Sequence, residues 1–191
     1  MARILIIDGH PDPSPQRFCH GLAKVYADIA RAAGHSVTSL RIADMDVPFL
    51  QSREEWERAP PGNVADWQHA IAAADHLVIV YPLWLGDVPA RLKAFFEQVF
   101  RPGFAIGTGK RTLSPGLLTN KSCRVIVTMG MPALVYRWFF FAHSLRSLHR
   151  NILHFVGIKP VRTTIIGSVE GSAASREKWL ERIAGLARRA L

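Results

Sequence analysis

The sequence contains only two cysteines in 191 residues, and this scarcity limits what can hold the fold together. Cys19 and Cys123 form no Cys-x-x-Cys pair, so the chain lacks a disulfide framework and a dithiol redox motif. Because 49% of the residues are hydrophobic, a chain of this length buries a substantial core without disulfides or metals. We therefore expect one domain spanning residues 1–191, with both cysteines reduced.

Long apolar runs are also missing. No stretch is long and uninterrupted enough to span a bilayer as a helix. The first residues lead directly into an apolar strand pattern, without the charged and hydrophobic regions of a signal peptide. These two absences predict a cytoplasmic location.

Several ligand motifs are absent as well. The segment after the first apolar run has neither the GxGxxG pattern of dinucleotide-binding folds nor the GxxxxGK[ST] pattern of phosphate-binding loops. His35, His69 and His149 have no metal-ligand spacing with carboxylates. The sequence therefore predicts no metal site.

The chain has little acidic charge to balance its lysines and arginines, and its net charge is +9. The sequence contains no recognisable nucleic-acid-binding module, so no nucleic-acid partner is predicted. Three explanations of the charge stay open: attraction of a polyanionic dinucleotide, attraction to an acidic membrane surface, and a solvated basic surface. The residues of that surface are Arg176, Lys178, Arg182, Arg188 and Arg189.

What the sequence does contain is a regular alternation of short apolar runs with helical patterns. Strands are predicted at 3–8, 35–42, 76–81, 123–128 and 161–167. Helices are predicted at 17–33, 64–74, 88–100, 136–155 and 175–190. Such an alternation indicates an α/β fold, a flavodoxin-like doubly wound parallel sheet of five strands in the order 2-1-3-4-5, with helices on both faces.

Three loops of this predicted fold fall at the carboxyl edge of the sheet, where open α/β sheets bind ligands. The loop after the third strand, residues 81–93, joins an apolar strand to an amphipathic helix. Its turn contains Pro82, Leu83, Trp84 and Gly86, and is more hydrophobic than a surface position requires. A turn of this composition indicates contact with something flat and apolar.

The loop after the first strand, residues 9–18, leads into a helix N-terminus, where unpaired N–H groups and the positive end of the helix dipole favour phosphate. His10, Ser14, Gln16 and Arg17 add hydrogen-bond donors. A structural interpretation is equally open, in which three prolines stiffen the turn and Ser14 caps the helix.

The loop after the fourth strand, residues 128–136, places Gly130 between Met129 and Met131. Glycine permits close approach of the backbone to a ligand, and thioethers pack well against aromatic rings, although core filling explains at least one of these methionines. Together the three loops describe a site for a flat ring with a phosphate tail.

These segments resemble the flavodoxin-like NAD(P)H:quinone oxidoreductases of the DT-diaphorase type, over roughly residues 3–168. The resemblance implies a non-covalent flavin, FAD or FMN, with NAD(P)H as co-substrate. It also implies a homodimer with active sites at the subunit interface and two-electron, ping-pong reduction of quinones or similar acceptors. The segments that carry it are His10-Pro11, Pro82-Leu83-Trp84, Val88-Pro89-Ala90-Arg91-Leu92-Lys93, Gly103-Phe104-Ala105 and Ile152-Leu153-His154-Phe155-Val156-Gly157.

The resemblance also implies roles for individual residues. His10, Arg17 and Phe18 would lie near the flavin phosphates or ribityl chain. The residues along the isoalloxazine ring would be Pro82, Leu83, Trp84, Leu85 and Gly86, with backbone N–H groups directed at its polar edge. The residues holding its pyrimidine side would be Thr128, Met129 and Gly130. Fixed donors at these places stabilise negative charge on a reduced flavin. Tyr136 and His143 are the candidates for steadying that charge during catalysis.

One segment departs from the family pattern. Family enzymes often carry aromatic residues after Gly-Phe-Ala that roof the partner's site, whereas this chain has Ile106-Gly107-Thr108-Gly109-Lys110. The acceptor pocket is then either more open or closed by the run Trp138-Phe139-Phe140-Phe141. At least one of those aromatic residues is expected to face a partner subunit or a ligand.

Two other functions stay open beside the reductase. One is a regulatory subunit resembling the ancillary quinone reductase of potassium-efflux systems, in which contact with a membrane transporter matters more than turnover. The other is a one-electron flavodoxin carrier. Flavodoxins are typically acidic with a hydroxyl-rich first loop, so the net charge and Pro13-Ser14-Pro15 argue against the carrier.

Overall fold

The computed structural model describes residues 1–108 and 116–190, and its described strands form one parallel sheet in the order β2-β1-β3-β4-β5. This is the predicted flavodoxin-like order, and all five predicted strands are confirmed to within one residue or two at each end. The strands are β1 (Arg3–Asp8), β2 (Ser36–Arg41), β3 (His76–Pro82), β4 (Ser122–Thr128) and β5 (Val161–Ile166).

Helices connect the strands and cover both faces of the sheet. The helices are α1 (Phe18–Ala32), α2 (Arg53–Glu57), α3 (Gly62–Ala73), α4 (Ala90–Val99), α5 (Ala133–Trp138), α6 (His143–Ser147) and α7 (Ala173–Ala187), with a 3₁₀ turn at Ile42–Asp44 and a π-helical segment at Leu148–Leu153. A buried core lies on each face: α1 and α7 cover one, whereas α3, α4 and the segments after β4 cover the other.

The inner strands are apolar because they are buried on both sides. Every residue of β3 is buried, and so are all but the first residues of β1 and β4. β2 and β5 form the edges of the sheet and are only partly covered. This burial pattern is the one that continuous hydrophobic runs predict for a parallel sheet.

The helix predicted at 136–155 is wrong as a single element. Its first part begins three residues earlier, at Ala133, directly after Pro132, a residue suited to a helix N-terminus. It ends at Trp138, because Phe141 and Ala142 both have positive φ, 52° and 46°, which an α-helix cannot contain. The chain then restarts as α6 and the π-helical segment, with no glycine at the break to mark it in the sequence.

α2 was not predicted. Its five residues are too few to show a hydrophobic period, and none of them is buried. The helix is held from outside by Arg101, a buried residue whose guanidinium donates to the carbonyl oxygens of Glu55 (2.6 Å) and Arg58 (3.3 Å). The contact that orders α2 therefore comes from a residue more than forty positions away.

Among the described residues, no helix is both long and apolar enough to cross a membrane.

Candidate functional site

The carboxyl ends of β1, β3 and β4 meet at one edge of the sheet, which we call the ligand edge. The Gly9 N–H donates to the carbonyl of Val80 (2.7 Å), and the Leu83 N–H donates to the carbonyl of Thr128 (2.7 Å). Gly9 has no room for a side chain, since a Cβ atom there would lie 2.6 Å from Leu92 Cδ2. The backbones of the three predicted loops thus leave the sheet side by side.

The first loop is held by a buried contact between the carboxylate of Asp8 and the imidazole of His20. Asp8 and His20 are nearly buried, and His20 Nδ1 lies 2.5 Å from Asp8 Oδ2. The other ring nitrogen of His20 lies 2.8 Å from the carbonyl oxygen of Asp12. An oxygen atom therefore lies within hydrogen-bonding distance of each ring nitrogen. His20 therefore ties the end of β1 and the loop to the first turn of α1.

His10 lies beneath the ligand edge instead of projecting from it. It is buried, and its Nδ1 accepts a hydrogen bond from the Asp12 N–H (3.1 Å). Its ring stands 5.3 Å from that of His20 and edge-on to Trp84 at 5.6 Å. Burial, and secondly the neighbouring His20, lower the pKa of His10. A neutral His10 therefore packs against the ring of Trp84 on its buried side.

The predicted phosphate contacts lie at the N-terminus of α1. Phe18 begins the helix and is half-buried, and no described residue accepts a hydrogen bond from its N–H group. Arg17 is exposed and its Nε donates to Asp12 Oδ2 (2.7 Å). The Ser14 N–H, followed by Arg17, lowers the pKa of Asp12. Ser14 does not cap the helix, because Arg17 occupies the cap position and provides no side-chain cap.

A cavity of about 740 Å³ lies beside this loop, between α1 and β2. Its lining includes Asp8, Pro13, His20 and Arg41. The residues predicted to contact a flat ring do not line it. The cavity is therefore a neighbour of the ligand edge and not the ring site itself.

The second loop is a tight turn with an exposed apolar tip. Trp84 and Asp87 exchange two backbone hydrogen bonds of 3.0 Å, and the intervening Leu85 and Gly86 both have positive φ, 47° and 81°. Leu85 is fully exposed, at 109%, and Trp84 is 48% exposed. Within the described residues, the N–H groups of Leu85 and Gly86 have no partner, whereas those of Leu83 and Trp84 are occupied. Pro82 is buried as the last residue of β3.

A leucine with positive φ carries backbone strain of about 1–3 kcal/mol. The turn keeps this conformation while two of its N–H groups have no partner within the described residues and its apolar tip is exposed. Such a turn offers hydrogen-bond donors beside an apolar surface, which is the combination that a polar-edged flat ring requires.

Of the three residues predicted to bind the ring from the third loop, only Gly130 is exposed at the ligand edge. Thr128 is buried with its hydroxyl 3.2 Å from Cys19 Sγ, and Met129 is buried with its N–H donating to Ile166 (2.9 Å). Gly130 is exposed, and Glu170 Oε1 lies 3.7 Å from where its Cβ would stand. Thr128 and Met129 therefore shape this wall of the edge from the sheet side.

The two candidate catalytic residues occupy different positions. Tyr136 is buried, its hydroxyl lies 2.6 Å from Ser144 Oγ, and it accepts a hydrogen bond from the Leu145 N–H (3.3 Å). His143 is exposed, and its ring lies 3.8 Å from where a Cβ atom of Gly86 would stand. The structure thus brings His143 to the ligand edge. Tyr136 is buried behind the first turn of α6, the turn that contains His143.

Both cysteines are free and buried. Burial raises the pKa of the Cys19 thiol to about 12, and burial also raises that of Cys123. Among residues 1–108 and 116–190, no group of histidine, cysteine and carboxylate side chains has the arrangement of a metal site. Gly109 and Lys110, in the segment that departs from the family pattern, lie outside the described residues.

The sequence patterns did not single out Asp8, His20 or Asp12. The sequence indicates their role only weakly, through an aspartate at the end of a strand and a histidine in the following helix. Their pairing follows only from the distance between the end of β1 and the first turn of α1.

Comparison with known proteins agrees with this architecture. A family model described as "Flavodoxin-like fold" matches residues 2–188. An uncharacterized NAD(P)H oxidoreductase of Haemophilus influenzae is 30% identical, with 86% of this chain and 83% of that protein covered. FMN-dependent NADH:quinone oxidoreductase 8 of Burkholderia lata is 26% identical, with 96% and 93% covered. The structure of NAD(P)H:quinone oxidoreductase from Methanothermobacter marburgensis superposes with a TM-score of 0.81, at 26% identity, covering 98% and 96%. The chain belongs to the family with the flavodoxin-like fold.

Proposed function

We propose that this protein is an FMN-dependent NAD(P)H oxidoreductase that reduces quinones or similar acceptors. The observation that carries the proposal is the convergence of three loops at the ligand edge, with free N–H groups at Leu85 and Gly86 beside the exposed ring of Trp84. Relatives named as NAD(P)H or NADH:quinone oxidoreductases that align with nearly the whole chain support it. FMN is the flavin that the Burkholderia relative names, whereas FAD has no such support.

The residues present fit FMN. The open N-terminus of α1 and the exposed Arg17 suit a phosphate. The turn at Leu85 and Gly86 suits the polar edge of the isoalloxazine ring, and the exposed Gly130 permits close approach on the other side. When bound there, FMN would accept hydride from NAD(P)H and pass two electrons to the acceptor in ping-pong turnover.

The protein's own contribution is alignment and electrostatics. His143 stands beside Gly86, where its imidazole would steady negative charge at the polar edge of the ring. Tyr136 acts through His143, since its hydroxyl fixes Ser144 and the Leu145 N–H in the first turn of α6. His10 supports the indole of Trp84, and the pair of Asp8 and His20 holds the phosphate loop in place.

We also propose a homodimer. An apolar groove of about 290 Å³ is open on the α4 side, and its lining includes Trp56, Phe96, Phe100 and Ile152. Phe155 lines the same groove and is 46% exposed. An apolar groove of this kind suits a second copy of the chain. Light scattering coupled to gel filtration tests it, and a monomer at all concentrations would refute it.

The two buried, reduced cysteines suit the cytoplasm, which we propose as the location of the protein.

The function is tested with purified protein freed of bound flavin. FMN should bind with quenching of its fluorescence, and the complex should oxidise NADH or NADPH over many turnovers only when a soluble quinone is present. Riboflavin is the matched control ligand, because it carries the same ring without the phosphate. If saturating FMN neither binds nor supports oxidation of either nucleotide, the proposed function is wrong.

A further inference from the structure

A second polar cavity, of about 240 Å³, lies where α7 meets β4 and β5. Its lining includes three arginines, which come from β4, α5 and α7, and no described carboxylate. None of the three forms an ion pair with a carboxylate of the described chain. We call this space the arginine cavity, and the residues that define it are Arg124, Arg137, Thr164, Trp179 and Arg182.

Arg124 is the buried member of this set, at 7% exposure. Within the described residues its guanidinium makes one hydrogen bond, from Nη1 to Thr164 Oγ1 (3.1 Å), and its buried Nε has no partner. A guanidinium has five N–H donors and stays charged in proteins. Burying such a charge is unfavourable unless an acceptor of opposite charge pairs with it. Arg124 therefore lines the cavity with donors to spare.

The neighbours of Arg124 add positive charge and do not balance it. Burial lowers the pKa of Arg124, and the charges of Arg162 and Arg182 act in the same direction, against the effect of Tyr26. His76, on the adjacent strand, is also within electrostatic reach, since Arg124 contributes to the lowering of its pKa. The surroundings of this guanidinium therefore favour an anion.

Carboxylates are scarce on every element around the cavity. Residues 98–169, which include β4, α5 and β5, contain ten lysines and arginines and no aspartate or glutamate. On α7, Glu177 and Glu181 are exposed and lie outside the cavity lining. These elements therefore supply no carboxylate to Arg124.

The other polar groups of the cavity suit an oxyanion. Arg182 is positioned by Trp179, because its Cζ lies 5.1 Å from the centre of that ring. The Thr164 hydroxyl accepts a hydrogen bond from Arg124, so its own proton can donate to a ligand. The volume is about eight times the ~30 Å³ that a water molecule occupies in the liquid, which leaves room for an oxyanion and some of its water.

We propose that the arginine cavity binds a phosphate group, either free or esterified to a small molecule. Two guanidinium groups and a hydroxyl match the several oxygens and the double negative charge of phosphate better than they match a carboxylate. Arg124 and Arg182, from β4 and α7, suffice for this binding, so Arg137 of α5, the helix next to the ligand edge, is not required.

The site is separate from the flavin site and from the proposed contact with a second copy. None of the residues predicted to hold the flavin lines the arginine cavity. Arg124 and α7 belong to the face of the sheet that α1 and α7 cover, whereas the groove proposed for the second copy lies on the α4 face. Phosphate binding here is therefore independent of the proposed function.

The test is a calorimetric titration of the whole protein with inorganic phosphate, with sodium chloride of equal ionic strength as the control. We expect saturable phosphate binding with a Kd of about 1 mM or below, and none with chloride. The N-terminus of α1 also suits phosphate, so the titration is repeated on Arg17→Ala, which should keep this binding. Loss of binding in Arg17→Ala, or no saturable binding in either protein, would overturn the proposal whether or not FMN binds.

Two variants on α7 locate the phosphate by mutation. Arg182→Gln should weaken phosphate binding by about tenfold or more, because one charge-assisted contact is lost. Arg188→Gln removes the same charge from the same helix, at an exposed position outside the cavity lining, and should change the affinity little. Equal affinities in the two variants would mean that phosphate responds to net charge alone, and the proposal would be wrong.

Arg124→Met separates a ligand-binding arginine from a structural one. Without phosphate, the variant should unfold at the same urea concentration as the original protein or at a higher one, because a buried unpaired charge has been removed. Addition of about 50 mM phosphate should raise the unfolding midpoint of the original protein and leave that of the variant unchanged. A variant that is less stable by the same amount in both buffers would show that Arg124 only supports the fold, and would overturn the proposal.

Ribose 5-phosphate, compared with inorganic phosphate and with ribose, identifies the source of the group. Tighter binding of ribose 5-phosphate than of phosphate assigns the site to a phosphate ester, and the reverse order assigns it to the free ion. Ribose should not bind. Binding of ribose as tight as that of ribose 5-phosphate would contradict recognition through the arginines.

Discussion

The ring of His143 lies 3.8 Å from the position that a Cβ atom would take on Gly86. These residues come from separate elements, the first turn of α6 and the turn after β3. Gly86 has a φ of 81°, so only glycine holds this conformation without strain, and its N–H has no partner within the described residues. The contact brings a polar side chain to the loop that sequence analysis identified as the wall of a flat ring.

Gly86→Ala should therefore impair the site more than the fold. An alanine at this φ costs about 1–2 kcal/mol of backbone strain, and its methyl group occupies the space between the loop and His143. We expect FMN affinity to fall about tenfold, equivalent to about 1.4 kcal/mol, in a fluorescence titration. Gly185→Ala is the control, because a Cβ there meets nothing within 4 Å inside α7, and it should raise stability by about 0.5–1 kcal/mol. Unchanged FMN affinity in Gly86→Ala would show that this turn does not contact the ring.

Gly9→Ala should impair the fold itself. Its Cβ atom would lie 2.6 Å from Leu92 Cδ2 and 3.1 Å from the Val80 carbonyl oxygen, so both a side chain and the backbone of β3 oppose it. We expect a loss of about 1–3 kcal/mol in the free energy of unfolding, measured with urea. Gly62→Ala, where a Cβ meets nothing within 4 Å, is the matched control. Adding Leu92→Val should restore only part of the loss; complete restoration would mean that the backbone contact costs nothing.

The sheet could be predicted from the sequence because the burial of a strand is visible in that strand's own residues. β3 is buried on both faces, so each of its positions selects an apolar side chain, and the run is readable without any tertiary information. α2 could not be predicted, because it is held through two carbonyl oxygens by Arg101, which comes after α3 and α4 in the chain. The end of α5 at Trp138 could not be predicted either. Phe141 and Ala142 adopt positive φ, and the sequence has no glycine there that would indicate a turn.

The candidate site was predictable in its loops but not in the roles of its side chains. A turn as apolar as that around Trp84 is visible in sequence, and it does lie at the ligand edge. Whether Tyr136 or His143 reaches that edge depends on how the chain turns between α5 and α6. The structure directs the Tyr136 hydroxyl to Ser144 and the His143 ring to Gly86. A pattern of residue types carries no information on that choice.

Arg17→Ala should weaken binding of FMN but not of riboflavin. The guanidinium is exposed beside the open N-terminus of α1 and is held by Asp12, so it is placed to meet a phosphate. Loss of one charge-assisted hydrogen bond should lower FMN affinity by about 10- to 100-fold. Arg31→Ala, at the other end of the same helix, removes the same charge and should leave both affinities unchanged. Equal weakening of both ligands in Arg17→Ala would place the phosphate elsewhere.

His76 should make the fold sensitive to acid. It is buried at the start of β3, its Nδ1 lies 2.8 Å from Ser122 Oγ, and its Nε2 has no partner in the described structure. Burial, followed by the charges of Arg124 and Arg162, lowers its pKa from 6.5 to about 4. Between these two values the unfolded chain binds a proton that the folded chain lacks, so stability falls as the pH falls, by up to about 3 kcal/mol.

His76→Gln removes this titration, and its effect is measured by urea unfolding at intervals from pH 7.5 down to pH 4. The variant starts from a lower stability at pH 7.5, because a buried contact has changed, and should then lose less stability than the original protein on acidification. The free energy of unfolding of both proteins should still fall slightly as the pH falls, since burial also lowers the pKa of His10 and of His149. Parallel curves for the two proteins would mean that His76 accepts its proton without unfolding, and that the buried Nε2 finds a partner once charged.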